Sequence, residues 1–191
     1  MGRIQATVNL PPRAALLLID VQRAFDDPSW GPRNNPDLER NLSALLAHWR
    51  RTKRPVMHVR HMSREPRSLL RPGQPGNEFK PEVAPLADER VIEKSVNSAF
   101  IGTSLESELR AAAIDTLVIT GIQTNHCVST TARMAGNLGF RTYVVSDGTA
   151  TFDRRGHDGR LFPAELVHAV ALADLHQEFA SIVDTDALLS G

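Results

Sequence analysis

Two short apolar runs constrain the fold of this chain more than any other feature of its sequence. Residues Ala14 to Asp20 read AALLLID, and residues Thr116 to Ile122 read TLVITGI. Uninterrupted apolar runs of this length are typical of strands buried on both faces, which occur in parallel sheets covered by helices. The sequence therefore predicts an α/β protein with a mainly parallel central sheet.

Weaker strand signals alternate with helical segments along the rest of the chain. Further strands are predicted at Pro55 to His61, Val91 to Lys94, Thr142 to Ser146 and Ser181 to Asp184. Helices are predicted at about Asn41 to Thr52, behind a cap at Thr103, at about Asn125 to Leu138 and at Pro163 to Phe179. This alternation predicts one three-layer α/β/α, Rossmann-like domain over residues 1–191, with a doubly wound sheet of about six strands.

Length and charge limit the partners that such a domain would have. The 191 residues suffice for one hydrophobic core, and the 22 basic residues equal the 22 acidic ones. Because neither charge is in excess, we expect no nucleic-acid or membrane partner and instead a small-molecule substrate. The chain has neither an apolar run of membrane-spanning length nor the pattern of a signal peptide, so we expect a cytoplasmic location.

One long segment, from Ser63 to Leu86, has no periodic pattern and is rich in proline. Long irregular loops in compact domains usually cover a functional site. We therefore interpret this segment as a lid or as a contact between subunits.

Three residues with suitable chemistry lie where predicted strands end. Asp20 ends the first strand, Lys94 ends another, and Cys127 lies in the first turn of the helix that follows Thr116 to Ile122. In doubly wound folds the ligand site lies at the carboxyl ends of the strands, so these side chains are expected to meet. A helix N-terminus and a nearby cation would favour the thiolate form of Cys127, while Asp20 could accept its proton.

Each of these residues also has a structural explanation. A lone cysteine can simply fill a core, an aspartate can form a turn, and a lysine can be a solvated surface charge. The thiol could also serve redox sensing, or the domain could only bind a metabolite. A nucleotide-binding or serine-hydrolase function is disfavoured, because the chain has no G-x-G-x-x-G, Walker A or G-x-S-x-G motif.

Four motifs together add specificity to this interpretation. They are LLLIDVQRAF, PVMHVRH, VIEKSVNSAF and VITGIQTNHCVSTTARMAGNLGF. In this order they resemble the isochorismatase-like cysteine hydrolases. The stretches HVRHMSREP and LLRPGQPGNEFKP are similar to the branch that includes streptothricin hydrolase.

The resemblance implies a catalytic triad and a reaction. Asp20 would be the general base, Lys94 the cation beside the sulfur, and Cys127 the nucleophile that forms an acyl intermediate. It also implies a cis peptide bond between Ile122 and Gln123, with the backbone N–H groups of Gln123 and Cys127 forming an oxyanion hole. The reaction would cleave a C–N bond of an amide, carbamoyl or lactam compound, with isochorismatase-type vinyl-ether hydrolysis as the alternative.

The resemblance further bears on the pocket, the cofactors and the assembly. Related nicotinamidases carry an Asp-x-His metal motif, but this chain has His58-Val59-Arg60-His61, in which strand alternation would separate the two histidines. We therefore expect no metal and no cofactor, and we expect a homo-oligomer, a dimer or a tetramer. Candidates for the substrate-binding wall lie beside the motifs: Gln22, Phe25, Trp30, His61, Phe100 and His126.

Overall fold

A six-stranded sheet forms the centre of the computed structural model, which describes residues 8–191. The strand order is β3-β2-β1-β4-β5-β8, and every neighbouring pair is parallel. The predicted α/β fold with a central parallel sheet is therefore confirmed. The strands are β1 (Ala15–Ile19), β2 (Val56–His61), β3 (Arg90–Lys94), β4 (Thr116–Ile122), β5 (Arg141–Ala150) and β8 (Ser181–Val183).

Five α-helices and a small hairpin accompany the sheet in the described part of the chain. The helices are α1 (Leu38–Arg51), α2 (Leu105–Ala111), α3 (Ser129–Asn137), α4 (Ala164–Leu175) and α5 (Thr185–Leu189). The hairpin pairs β6 (Arg154–Arg155) with β7 (Leu161–Phe162) in antiparallel fashion. None of the helices in residues 8–191 has the length and apolar character needed to cross a bilayer.

Strand β1 divides two hydrophobic cores. Its residues Leu17 and Ile19 pack into the core that includes α2 and α3, whereas Leu16 and Leu18 pack into the core that includes α1. Successive side chains of a strand point to opposite faces, so both faces of β1 are covered. This explains why the first apolar run has no polar residue before Asp20.

Several helix and strand boundaries differ from the predicted ones, and three of these differences have a clear local cause. Helix α1 begins at Leu38 rather than Asn41, because the fully buried Leu38 extends the apolar stripe by one turn. Strand β5 continues to Ala150 rather than ending at Ser146. Its pairing with β4 shifts register near this point, and the side chain of Asn35 donates there to the carbonyls of Ser146 and Thr149. Helix α4 ends at Leu175, just before Gln177 with its positive φ of 68°.

The long loop between β2 and β3 is fastened to the sheet edge by two buried amides. The Gln22 side chain accepts a hydrogen bond from His61 N at 2.8 Å and donates to Asn77 O at 2.8 Å. The Asn77 side chain in turn donates to the carbonyls of His61 and Leu70 at 2.8 and 2.7 Å. The loop is therefore held over the carboxyl ends of β1 and β2.

Gly121 allows β4 to approach β1 closely, which gives a first prediction. Its φ is +123°, and a Cβ built on it would lie 2.0 Å from Ile19 O. We expect Gly121→Ala to lower the free energy of unfolding by at least about 3 kcal/mol in urea denaturation, because backbone must move. Gly139→Ala is the control: its φ is +82° but an added Cβ meets no atom within 4 Å, so a cost of about 1 kcal/mol is expected. Equal losses would contradict the steric argument.

The Gln22 network gives a second prediction. Gln22→Leu leaves His61 N and Asn77 O buried without their side-chain partner, so we expect a loss of about 2–4 kcal/mol in the free energy of unfolding. We also expect faster tryptic cleavage at Arg64, Arg67 and Arg71. The control is Gln74→Leu, since the Gln74 side chain makes no hydrogen bond to residues 8–191. Unchanged proteolysis of Gln22→Leu would show that other contacts hold the loop.

Candidate active site

Asp20 and Lys94 form a buried ion pair at the carboxyl edge of the sheet. Lys94 Nζ donates to Asp20 Oδ2 at 2.6 Å, and the two side chains are 0% and 1% exposed. Strand β2 lies between β1 and β3, so the pair spans about 10 Å of sheet. Only a long side chain such as lysine can reach across that distance.

The backbone turns at Asp20, directly after β1. Its φ is 54°, a left-handed conformation that aspartate adopts more readily than most residues. Its N–H still donates to Val59 O at 2.9 Å, while its carbonyl accepts from Gln22 N at 2.8 Å. The chain thus turns at Asp20 without losing either backbone hydrogen bond.

Cys127 lies in a single π-helical turn, Thr124–Val128, between β4 and α3. The turn follows Gln123, which is joined to Ile122 by a cis peptide bond. Gln123 O accepts from the N–H groups of His126 and Val128 at 3.1 and 3.2 Å, and these two amides flank that of Cys127. A π turn widens the helix locally, and such turns often occur at functional sites.

Contacts from two other elements brace this turn. Thr124 Oγ1 lies 2.9 Å from Nδ1 of His168, which belongs to α4. The hydroxyl of Thr151, which follows β5, donates to Asn125 Oδ1. The π turn that contains Cys127 is therefore held from both sides.

The thiol of Cys127 is protonated at neutral pH. Burial raises its pKa to about 12, the negative charge of Asp20 adds to the rise, and the charge of Lys94 opposes it. This differs from the thiolate that the sequence favoured. The reason is that burial and the negative charge of Asp20 together outweigh the positive charge of Lys94.

Asp20 has a carboxylate oxygen without a hydrogen-bond donor among residues 8–191. This oxygen is Oδ1, and it is buried. A carboxylate oxygen of Asp20, a ring nitrogen of His61 and Sγ of Cys127 all lie within 4.8 Å of one another. Asp20 can therefore receive the thiol proton without breaking its bond to Lys94.

The cluster of Asp20, His61 and Cys127 has the residue types of a metal site, but its charges do not suit one. The Lys94 ammonium lies 2.6 Å from Asp20 Oδ2 and 3.0 Å from His61 Nδ1, so it already occupies the position of a cation. Burial, and then the charge of Lys94, lower the pKa of His61. His58 is directed elsewhere, with Nε2 2.9 Å from a carboxylate oxygen of Glu89. These residues do not fit the metal of the nicotinamidases.

A cavity of about 270 Å³ opens beside Asp20 and Cys127. Four of the six predicted wall residues line it, namely Phe25, Trp30, His61 and His126. Phe25 and Trp30 pack with ring centroids 5.1 Å apart, and Phe152 stacks on both from behind. One wall of the cavity is therefore aromatic and rigid.

The other two predicted wall residues, Gln22 and Phe100, do not line the cavity. The Gln22 side chain is fully buried and fastens the long loop. Phe100 stacks on Phe140 with ring centroids 5.8 Å apart, within the core that includes α2 and α3. Proximity to a motif placed both residues near the site, but packing turns their side chains into the interior.

Sequence reasoning missed three cavity residues: Leu70, Asn97 and Arg154. Asn97 lies within the motif VIEKSVNSAF, so the motif itself could have identified it. Leu70 belongs to the irregular loop, and Arg154 belongs to the short strand β6. Neither segment has a periodic pattern from which the direction of a side chain could be predicted.

Comparison with known proteins agrees with this geometry. A family model described as the isochorismatase domain matches residues 14–187. The isochorismatase family protein YrdC of Bacillus subtilis (strain 168) is 48% identical over 178 residues, which are 93% of this chain and 95% of that protein. A crystal structure of an isochorismatase-family protein from Chromobacterium violaceum has a TM-score of 0.94 and 47% identity, covering 98% of this chain and 97% of that one.

Two further relatives are named for a reaction. Nicotinamidase 3 of Arabidopsis thaliana is 30% identical over 188 residues, covering 92% of this chain and 86% of that protein. Streptothricin hydrolase of Streptomyces noursei is 35% identical over 142 residues, covering 73% of this chain and 50% of that protein. The resemblance noted in the motifs is thus confirmed over nearly the whole chain, which belongs to the isochorismatase family of hydrolases.

Proposed function

We propose that this protein is a cysteine hydrolase that cleaves the C–N bond of a small amide, carbamoyl or lactam compound. One observation carries the proposal: Asp20, Lys94 and Cys127 come from the ends of three different strands and meet beside one cavity. Nucleophile, base and compensating charge are the parts that covalent acyl transfer requires. The relatives named nicotinamidase and streptothricin hydrolase support this reaction class.

The first step transfers the thiol proton as the carbon–sulfur bond forms. Asp20 Oδ1, which lacks a hydrogen-bond donor among residues 8–191, accepts the proton while Sγ of Cys127 attacks the substrate carbonyl carbon. A protonated resting thiol requires such a coupled transfer, because the free thiolate is scarce at a pKa of about 12. The electron pair of the carbonyl bond moves onto the substrate oxygen.

The backbone N–H groups of Gln123 and Cys127 would stabilise that oxyanion. The N–H groups of His126 and Val128, on either side of Cys127, both donate to Gln123 O, whereas the N–H group of Cys127 does not. Donors held by the backbone before the substrate arrives need no reorganisation, and the loss of one such donor typically costs about 10²–10³-fold in rate.

Lys94 would position the base and balance its charge. Its ammonium holds Asp20 Oδ2 at 2.6 Å, which leaves Oδ1 as the oxygen available to the thiol. It also hydrogen-bonds His61 Nδ1 at 3.0 Å, so that the neutral imidazole carries its proton on Nε2. The lysine thus fixes the orientation of two groups that line the cavity.

The second half of the reaction returns the proton. The tetrahedral intermediate collapses, the C–N bond breaks, and the Asp20 carboxylic acid protonates the leaving nitrogen. Water then attacks the acyl thioester of Cys127, giving one proton to Asp20 as the carbon–sulfur bond breaks. That proton passes to the sulfur, and the carboxylic acid product leaves.

The thiol's surroundings argue against a redox role. Redox-sensing cysteines are exposed and have a low pKa, whereas burial and Asp20 raise the pKa of Cys127 to about 12. Vinyl-ether hydrolysis of the isochorismatase type does not require a nucleophilic thiol. A variant that lacks the sulfur therefore separates that reaction from the proposed one.

Cys127→Ala is expected to lower kcat/KM for small amides by at least about 10³-fold, because the nucleophile is removed. Ammonia release from a panel of primary amides is the measurement. With hydroxylamine present, the wild type should also form hydroxamates by capture of the acyl thioester. Glu93→Gln is the matched control, because Glu93 adjoins Lys94 in sequence but pairs with Arg60 outside the cavity. Amide hydrolysis that survives in Cys127→Ala, or cleavage of isochorismate by that variant, would overturn the proposal.

Asp20→Asn is expected to separate thiol reactivity from catalysis. Asparagine tolerates the φ of 54° at this position, and loss of the negative charge lowers the pKa of Cys127. Alkylation by iodoacetamide, followed by intact mass across pH, should therefore shift to lower pH than in the wild type. Amide hydrolysis should fall by at least about 10²-fold, since the base is gone. Circular dichroism checks the fold, Glu93→Gln is again the control, and an unchanged alkylation profile would show that Asp20 does not control the thiol.

A further inference from the structure

Arg154 lies at the cavity on a stiffened part of the chain. It belongs to β6, where it pairs with Phe162 across the hairpin. The preceding Asp153 accepts a hydrogen bond from Ala164 N at 2.8 Å, at the start of α4. Phe152, one residue earlier, is buried against Trp30 with ring centroids 5.5 Å apart. The backbone that carries Arg154 is therefore anchored on both sides of the hairpin.

The guanidinium of Arg154 has no partner within the described part of the chain. Its side chain makes neither a hydrogen bond nor an ion pair with any residue from 8 to 191. The two other arginines of the hairpin are engaged differently. Arg155 donates to Gly159 O at 2.7 Å, and Arg160 lies over the ring of Phe162, 5.1 Å from its centroid. Of these three arginines, only Arg154 both lines the cavity and has guanidinium N–H groups without an acceptor among residues 8–191.

The other ionisable groups at the cavity leave its charge positive. Asp20 is the one carboxylate among the described lining residues, and Lys94 neutralises it. His61 and His126 are neutral near pH 7, because burial lowers the pKa of both. A nearby cation lowers each pKa further: Lys94 acts on His61, and Arg154 acts on His126. The remaining formal charge is that of Arg154.

We infer that the substrate is a small amide that also carries a carboxylate, which Arg154 binds while the scissile carbonyl lies at Cys127. This inference rests on the proposed function and names its substrate class. A guanidinium presents parallel N–H donors that match the two oxygens of a carboxylate, so it selects this group over a neutral one. Asn97, an exposed neighbour at the same cavity, offers an uncharged donor and acceptor beside it.

The test compares pairs of substrates that differ only in charge. Malonamate, succinamate and glutaramate each carry one primary amide and one carboxylate, and the corresponding diamides replace the carboxylate by a neutral group of the same shape. We expect kcat/KM of the wild type to be at least about 10-fold higher for one of the acids than for its diamide. Arg154→Ala should lower this ratio by about 10-fold or more, mainly through KM, and Arg154→Glu should instead favour the cationic amide 3-aminopropanamide. Arg155→Ala, on the same hairpin but outside the cavity, should keep the wild-type ratio.

Binding to the inactive Cys127→Ala protein separates failure of this inference from failure of the proposed function. Calorimetry should show the preferred acid binding more tightly to Cys127→Ala than to Cys127→Ala/Arg154→Ala. If this difference is found but the wild type cleaves no amide, the carboxylate site stands and the hydrolase proposal fails. If amides are cleaved but acids and diamides react equally, the inference is overturned and the proposed function stands. If neither cleavage nor Arg154-dependent binding is seen, both are wrong.

Discussion

The buried ion pair between Lys94 and Asp20 joins two strands that are not neighbours in the sheet. Removing two charges from water costs several kcal/mol for each ion, and their attraction offsets this only when both partners are in place. Loss of one partner leaves the other charge buried and uncompensated. The segment that follows β1 and the segment that follows β3 are therefore held in one relative position, which is also the position that the proposed reaction requires.

The same pair affects the pKa of Cys127, with Asp20 raising it and Lys94 lowering it. A thiol beside a lone lysine would ionise easily, but here the aspartate lies close to the sulfur as well, and burial adds to its effect. The result is a protonated thiol next to a carboxylate oxygen that has room for one proton. In the proposed reaction, Cys127 would therefore become nucleophilic only when a substrate carbonyl is in reach to accept the electron pair.

The sequence predicted the positions of strands and of strand-end residues correctly where burial or strand order determines them. The runs that became β1 and β4 are apolar because both faces are covered, and parallel strands bring their carboxyl ends to one edge. The strand pattern suggested that Asp20, Lys94 and Cys127 would meet, and the family resemblance added the specific roles expected of them. Side-chain direction outside regular elements could not be predicted in the same way. Gln22 and Arg154 show this, since the first points into the loop network and the second into the cavity.

The two parts of the site consequently differ in how freely they can change. Asp20 and Lys94, two of the proposed catalytic groups, lie on strand ends that are held by sheet pairing and by their ion pair, so a substitution there would disturb the fold as well as the proposed reaction. Part of the cavity wall comes from the long loop and from the β6–β7 hairpin, which contribute Leu70 and Arg154 but carry no part of the central sheet. A change in these walls alters which molecule fits without altering the chemistry. Two relatives of this chain are accordingly named for different molecules, one as a nicotinamidase and the other as a streptothricin hydrolase. For this chain, the unpaired charge that Arg154 contributes from the described part of the hairpin is the feature of the wall that most restricts the choice of substrate.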